Sequence, residues 1–161
     1  MKQTFQKLTG LYLAFLVGQV IFCLMAVYLN AGEPEAKVVL ASFTEEPNFY
    51  KRVLLMLGLP LMGAAILIGR KRAQEGAMMV GGLESKLTHY RQTVILKCGI
   101  MEVVNLLAVS FAIADSDMSY LLYFAVGMLF FMAFRPSTES FIRKYELSPQ
   151  EALMVRESAR L

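Results

Sequence analysis

Three polar side chains that stand in long apolar stretches are the residues of this sequence best suited to chemistry. Glu102 and Asn105 share one helical face of the segment 94–114, and Gln19 stands near the middle of the segment 8–29. A polar group that leaves water needs a hydrogen-bond partner, and an ionised carboxylate also needs a counter-charge or a proton. The pattern therefore predicts a polar cluster at mid-membrane. Two interpretations stay open, a proton or ion site and a hydrogen-bond clamp between helices.

Glu102 and Lys97, the two charged residues of this segment, differ in their expected depth in the membrane. Glu102 lies eight residues beyond Val94, which is about 12 Å at a helical rise of about 1.5 Å per residue. Its short side chain does not reach the headgroups from that depth, whereas the long stem of Lys97 does. We therefore expect Glu102 to be protonated or paired inside the protein, and Lys97 to extend to the membrane surface.

Other kinds of site lack the residues that they need. His89 is the only histidine, and Cys23 and Cys98 stand in apolar segments without a CxxC spacing. The sequence contains no glycine-rich phosphate loop and no nucleophile elbow. We expect no metal, no cofactor and no enzymatic activity. The net charge of +3 is spread without a basic surface that follows a phosphate backbone, so nucleic acid is not an expected partner.

The elements that must position these residues are apolar segments long enough to cross a bilayer. Hydrophobic residues make up 57% of the 161 residues and charged residues only 18%, whereas about a quarter of the residues of a soluble domain are charged. A helix needs roughly 20 apolar residues to cross about 30 Å of hydrocarbon. We therefore predict an all-α integral membrane protein, a single domain (1–161) that forms a four-helix transmembrane bundle with antiparallel neighbours. The predicted spans are 8–29, 53–69, 94–114 and 119–134.

Two of these spans carry small or helix-breaking residues at informative positions. Gly10, Ala14 and Gly18 recur every four residues along the first span, and such a pattern lets helices approach closely in lipid. In the second span, Pro60 removes a helix hydrogen bond and Gly58 stands beside it. We therefore predict a helix-packing stripe on the first helix and a kink in the second.

The distribution of lysine and arginine predicts the orientation of the spans. These residues are in excess in the connection 70–93 and in the tail 135–161, but not in the connection between the first two spans. Because such an excess marks the cytoplasmic side, both termini are expected in the cytoplasm. Residues 70–93 are expected to form a cytoplasmic helical hairpin that turns at Gly81-Gly82. The run Ser148-Pro149-Gln150-Glu151 predicts the start of a helix in the cytoplasmic tail.

Four short stretches carry a resemblance to known proteins. They are Leu16-Val17-Gly18-Gln19, Tyr90-Arg91, Met101-Glu102 and Arg135-Pro136-Ser137. In their order they resemble an uncharacterised family of small four-helix bacterial inner-membrane proteins. The resemblance implies a location in the bacterial inner membrane and no established activity.

Glu102 alone carries a second and fainter resemblance. It is similar in position to the ion-binding carboxylate that stands at mid-membrane in the proteolipid subunits of rotary ATPases. Those subunits pack on glycine-rich helices, whereas the first halves of the helix hairpins of this chain are not glycine-rich. The similarity is therefore confined to this one position.

The sequence leaves two functions in view. The first is a non-catalytic accessory, scaffold or interaction subunit of a membrane assembly, which the small size and the absence of a catalytic residue set favour. The alternative is a small oligomeric proton- or ion-coupled transporter that uses Glu102. The expected partners are the lipid bilayer and either other membrane proteins or further copies of the chain.

Overall fold

The protein is built from helices joined by short turns. The structure, a computed structural model, describes residues 2–31 and 48–160. No β-strand occurs among these residues, which confirms the all-α prediction. Most of the connection between the first two predicted spans lies outside the described residues. The helices are α1 (Lys2–Asn30), α2 (Phe49–Ala77), α3 (Leu83–Ala114), α4 (Tyr120–Ala133), α5 (Thr138–Lys144) and α6 (Pro149–Arg160).

In the described part of the chain, three helices are long and apolar enough to cross a membrane: α1, α2 and α3. Helix α4 has only 14 residues, which reach about 21 Å at about 1.5 Å per residue. It passes the same test of length and hydropathy only together with α5, from which it is bent by 73°. The structure therefore has three helices that could cross a membrane, or four candidate spans if α4 and α5 count as one broken span.

The starts of the helices follow from side chains that satisfy free backbone groups. Asn48 accepts a hydrogen bond of 2.9 Å from the Lys51 N–H and so caps α2. At α6, Ser148 Oγ accepts from the Glu151 N–H, and the Glu151 carboxylate accepts from the Ser148 N–H. This reciprocal pair is the capping box that the sequence predicts.

Helix α2 is continuous over its 29 residues although it contains Pro60. The hydrogen bonds on either side of the proline hold the helix together across the one that is lost. Gly58 is buried and faces α3, where an added Cβ would lie 3.6 Å from a side-chain atom of Val104. The kink predicted at Gly58 and Pro60 stays a prediction.

Helix α3 is the element around which the other long helices pack. It contacts α1, α2 and α4, and buried residues recur along it from Leu87 to Ala112. By contrast, α1 and α2 turn large apolar side chains such as Ile21 and Leu67 outward. Exposed apolar faces of this extent suit helices that are surrounded by lipid.

Contacts between residues distant in sequence join the helices at each of the two ends of the bundle. At one level, which we call the tail end, Phe5 of α1 packs on Tyr90 of α3 and on Phe141 of α5. At the other level, which we call the turn end, Asn30 Nδ2 donates a hydrogen bond of 3.0 Å to the backbone carbonyl of Ala112. The polar pair described next lies between these two levels.

Candidate functional site

A buried amide pair joins α1 to α3. Asn105 Nδ2 donates a hydrogen bond of 2.7 Å to Gln19 Oε1. The two residues are almost wholly enclosed, with 0% and 1% of their surface exposed. The structure thus brings together two of the three residues that the sequence selects for a midplane cluster. Because amides do not titrate, this pair links helices and does not carry a proton.

Gly127 of α4 makes room for this amide pair. A Cβ atom at position 127 would lie 1.8 Å from Asn105 Oδ1, far inside van der Waals contact. Helix α4 therefore comes this close to α3 because residue 127 has no side chain. Gln19 Nε2 and Asn105 Oδ1 have no hydrogen-bond partner within the described ranges. The pair is thus a polar contact enclosed by α1, α3 and α4.

Glu102, the third residue of the predicted cluster, does not join the pair. It is only partly buried, and no hydrogen bond or ion pair connects it with any residue of the ranges 2–31 and 48–160. Residues three positions apart on a helix differ in direction by about 60°. That rotation places Asn105 in the core and Glu102 at its edge. The structure therefore holds an amide pair and a separate carboxylate.

The small-residue stripe of α1 lies on the outside of the protein. Gly10, Ala14 and Gly18 are all exposed. A Cβ atom added at Gly10 or Gly18 would meet no atom within 4 Å among the described neighbours. Gln19 and Leu8, on the other face of α1, are buried against the bundle. The stripe is therefore not used to pack helices inside the described part of the chain.

Lys97 is buried against neighbouring helices, and its predicted extension to the membrane surface stays a prediction. Only 7% of it is exposed, and its Nζ lies 3.9 Å from the centre of the Phe134 ring. Its stem crosses α2 at Gly69, where an added Cβ would lie 2.8 Å from Lys97 Cδ. Gly69 leaves space for the Lys97 stem, and the Phe134 ring packs on its ammonium. The cation–π contact stabilises the ammonium.

A second polar cluster connects the start of α2 with the turn between α3 and α4. Lys51 Nζ lies 2.8 Å from Asp117 Oδ2, and both residues are buried. Nearby, Tyr120 Oη lies 2.8 Å from Asp115 Oδ2 and 2.9 Å from Asn48 Oδ1. Asn48 also donates to Asp115. These contacts hold the turn end of the bundle together.

The ligands for a metal are not brought together in the part of the chain that the structure describes. No group of three His, Cys, Asp or Glu side chains lies close enough there to bind an ion. His89 contacts Tyr145 Oη through Nδ1 at 2.8 Å, and its Nε2 lies 4.0 Å from Glu75. Cys23 and Cys98 are both free thiols. The histidine therefore connects helices at the tail end.

Sequence reasoning missed the contacts that join the helix ends and the close approach at α4. Lys51 and Asp117 stand at facing ends of two predicted spans, and opposite charges at such positions are a signal for an ion pair. Gly127 is a lone glycine in an apolar helix, which is a usual sign of a close helix contact. Neither signal names its partner, so the contacts themselves required the structure.

Comparison with known proteins identifies no relative. No family model matches the chain, and neither a curated protein nor a solved structure matches it. The resemblance to small bacterial inner-membrane proteins therefore stays a prediction.

Proposed function

We propose that this protein is a non-catalytic accessory or interaction subunit of a membrane assembly, and that a partner helix packs on the outer face of α1. One observation carries the proposal, the exposure of Gly10, Ala14 and Gly18 along that face. In lipid, helices associate through close van der Waals packing, which small residues at this spacing permit.

The interior of the protein supports a structural role. Gln19 and Asn105 hydrogen-bond each other, and neither group titrates. The carboxylate of Glu102 stands apart from them. This arrangement supports the interpretation of the amide pair as a hydrogen-bond clamp between helices.

The proposed arrangement has four spans, with both termini in the cytoplasm of a bacterial cell. Helix α4 starts beside the ion pair of Lys51 at the turn end and leads to α5 at the tail end. The tail end also holds residues 70–93, which are rich in lysine and arginine. Such an excess favours the cytoplasmic side of the inner membrane.

Native mass spectrometry after gentle extraction from host membranes tests the accessory function. We expect a stoichiometric complex with a foreign subunit, and we expect Gly18→Leu to release that subunit because the added side chain prevents close packing. Leu13→Phe is the matched control, since residue 13 is 49% exposed on α1 outside the stripe. A bare monomer, or a complex made only of this chain, would contradict the accessory function.

A second candidate function, proton- or ion-coupled transport by an oligomer of this chain, is favoured by Glu102. Its carboxylate is partly exposed on α3, so a second copy could reach it and complete a site. The test is proton flux into vesicles that contain the wild type or Glu102→Gln. Loss of flux in Glu102→Gln, but not in Glu84→Gln near the start of α3, supports transport. Equal flux in all three proteins excludes a role for this carboxylate.

A further inference from the structure

The ammonium of Lys97 is buried without a counter-charge. No carboxylate of the described residues lies within ion-pair distance of it. The residue is 7% exposed, and its Nζ faces the Phe134 ring. Burial of an unpaired ammonium costs free energy, of which a cation–π contact recovers only a part. The surroundings of Lys97 therefore favour an anion beside Nζ.

Two further cations line the same pocket. Arg70 of α2 and Lys144 of α5 stand with Lys97 around a pocket of about 440 Å³. Glu146 also lines it, but it forms no ion pair with any of these three within the described ranges. The pocket thus has an excess of positive charge. Three cations around one space suit the several oxygens of a phosphate group.

An apolar groove lies between three helices that also line this pocket, and Met62 of this groove stands one helical turn before Ile66 of the pocket. Both are lined by α2, α3 and α4, with the groove on the earlier part of α2. The groove has a volume of about 230 Å³. Its walls are almost wholly hydrocarbon, which offers nothing to a soluble anion but matches an acyl chain. The lining includes Leu55, Leu59, Met62, Ala108 and Val126.

We propose that this face binds one anionic phospholipid, with the phosphate beside Lys97, Arg70 and Lys144 and an acyl chain in the groove. Charge complementarity selects the phosphate, and the groove selects a lipid over a free phosphate ion. The pocket is expected at the depth of the lipid headgroups, because Arg70 is the first charged residue after the apolar segment 53–69. Basic pockets between helices at this level are suited to lipid headgroups.

The test is a lipid titration of the delipidated full chain in detergent micelles, followed by native mass spectrometry. The probes are dioleoyl phosphatidylglycerol, which is anionic, and dioleoyl phosphatidylcholine, which is zwitterionic. We expect the wild type to retain one phosphatidylglycerol in preference to phosphatidylcholine. Lys97→Met keeps an apolar stem and removes the charge, so it should lower phosphatidylglycerol affinity by about fivefold. Lys144→Gln should act in the same direction, and because Lys144 is exposed this variant leaves the core intact.

Arg91→Gln is the matched control, because it removes an exposed cation of α3 that lies outside the pocket. It should leave the lipid preference unchanged. The proposal is overturned if Lys97→Met and Lys144→Gln both bind like the wild type, or if Arg91→Gln loses affinity to the same extent. Displacement of phosphatidylglycerol by millimolar inorganic phosphate would show that the pocket takes a soluble anion, and would overturn the assignment to a lipid.

Discussion

At the scale of single residues, the absent side chain of Gly127 decides how closely α4 packs on α3. We expect Gly127→Ala to lower the free energy of unfolding by about 1–3 kcal/mol, because the new methyl group would displace Asn105 or push the helices apart. Equilibrium unfolding in mixed micelles with increasing dodecyl sulfate measures the change. Gly63→Ala is the matched control, since a Cβ there would meet nothing within 4 Å. Equal losses in both variants would contradict the close approach.

The ion pair of Lys51 and Asp117 should make stability depend on pH in the acid range. Asp117 lies in the turn between α3 and α4, outside the membrane-spanning segments. Burial raises the pKa of its carboxyl, but hydrogen bonds from Lys51 and from the Ser119 N–H outweigh burial and hold the pKa below the ordinary value of 3.8. A depressed pKa means that the pair stabilises the folded state fully above 3.8 and loses this effect as pH falls through the lower, folded value.

We therefore expect the wild type to lose stability relative to Asp117→Asn as the pH falls from about 5 to about 2. The difference arises because the asparagine does not titrate, so Asp117→Asn lacks this contribution at every pH. Unfolding in mixed micelles at a series of pH values, with both proteins side by side, measures it. A difference that stays constant over this range would show that the ion pair does not contribute through its charge.

At the scale of elements, the tail helices are held on the bundle through Tyr145. Its side chain is 1% exposed, and its Oη lies 2.8 Å from His89 Nδ1. The ring rests on α2 at Gly76, where an added Cβ would lie 2.1 Å from it. A ring enclosed to this degree has no free space to move into, so a methyl group at position 76 should displace the whole segment.

We expect Gly76→Ala to release α5 and α6 from the bundle and to raise the rate of trypsin cleavage after Arg143 and Lys144 at least about fivefold. Limited proteolysis of the purified protein, followed by mass spectrometry, measures the rate. Gly82→Ala serves as the control, because a Cβ there would meet nothing within 4 Å. Unchanged cleavage in Gly76→Ala would show that Tyr145 does not hold the tail.

The sequence predicts features that depend on neighbouring residues, such as where a helix forms or begins. It does not predict which side of a helix faces the core, because that depends on how the helix is rotated about its axis. The apolar segment 94–114 must be a helix in a bilayer, since only a helix satisfies its backbone there. The capping box at Ser148 is equally local. By contrast, about 60° of rotation of α3 separates a core position from an edge position. The sequence therefore grouped Glu102 with Asn105, and only packing against Gly127 shows which of them is enclosed.

At the scale of the whole molecule, the contacts between helix ends decide how often the chain crosses the membrane. Phe5, Tyr90 and Phe141 meet at the tail end, whereas Lys51 and Asp117 meet at the turn end. Helix α4, with its 14 residues, is the shortest connection between the two levels. Because α4 is short for a span, its crossing distinguishes a protein with four spans from one with three.

Labelling of single cysteines with a membrane-impermeant maleimide tests the crossing in intact bacterial cells that express the protein. Ser116→Cys, in the exposed turn between α3 and α4, should be labelled from outside. Ser85→Cys near the start of α3 and Gln150→Cys in α6 should be labelled only after permeabilisation, because four crossings return the tail to the cytoplasmic side. Labelling of both Ser116→Cys and Gln150→Cys in intact cells, with Ser85→Cys protected, would place the tail outside and reduce the number of crossings to three. Labelling of both Ser85→Cys and Gln150→Cys, but not of Ser116→Cys, would show that the protein with four crossings is inserted in the opposite orientation.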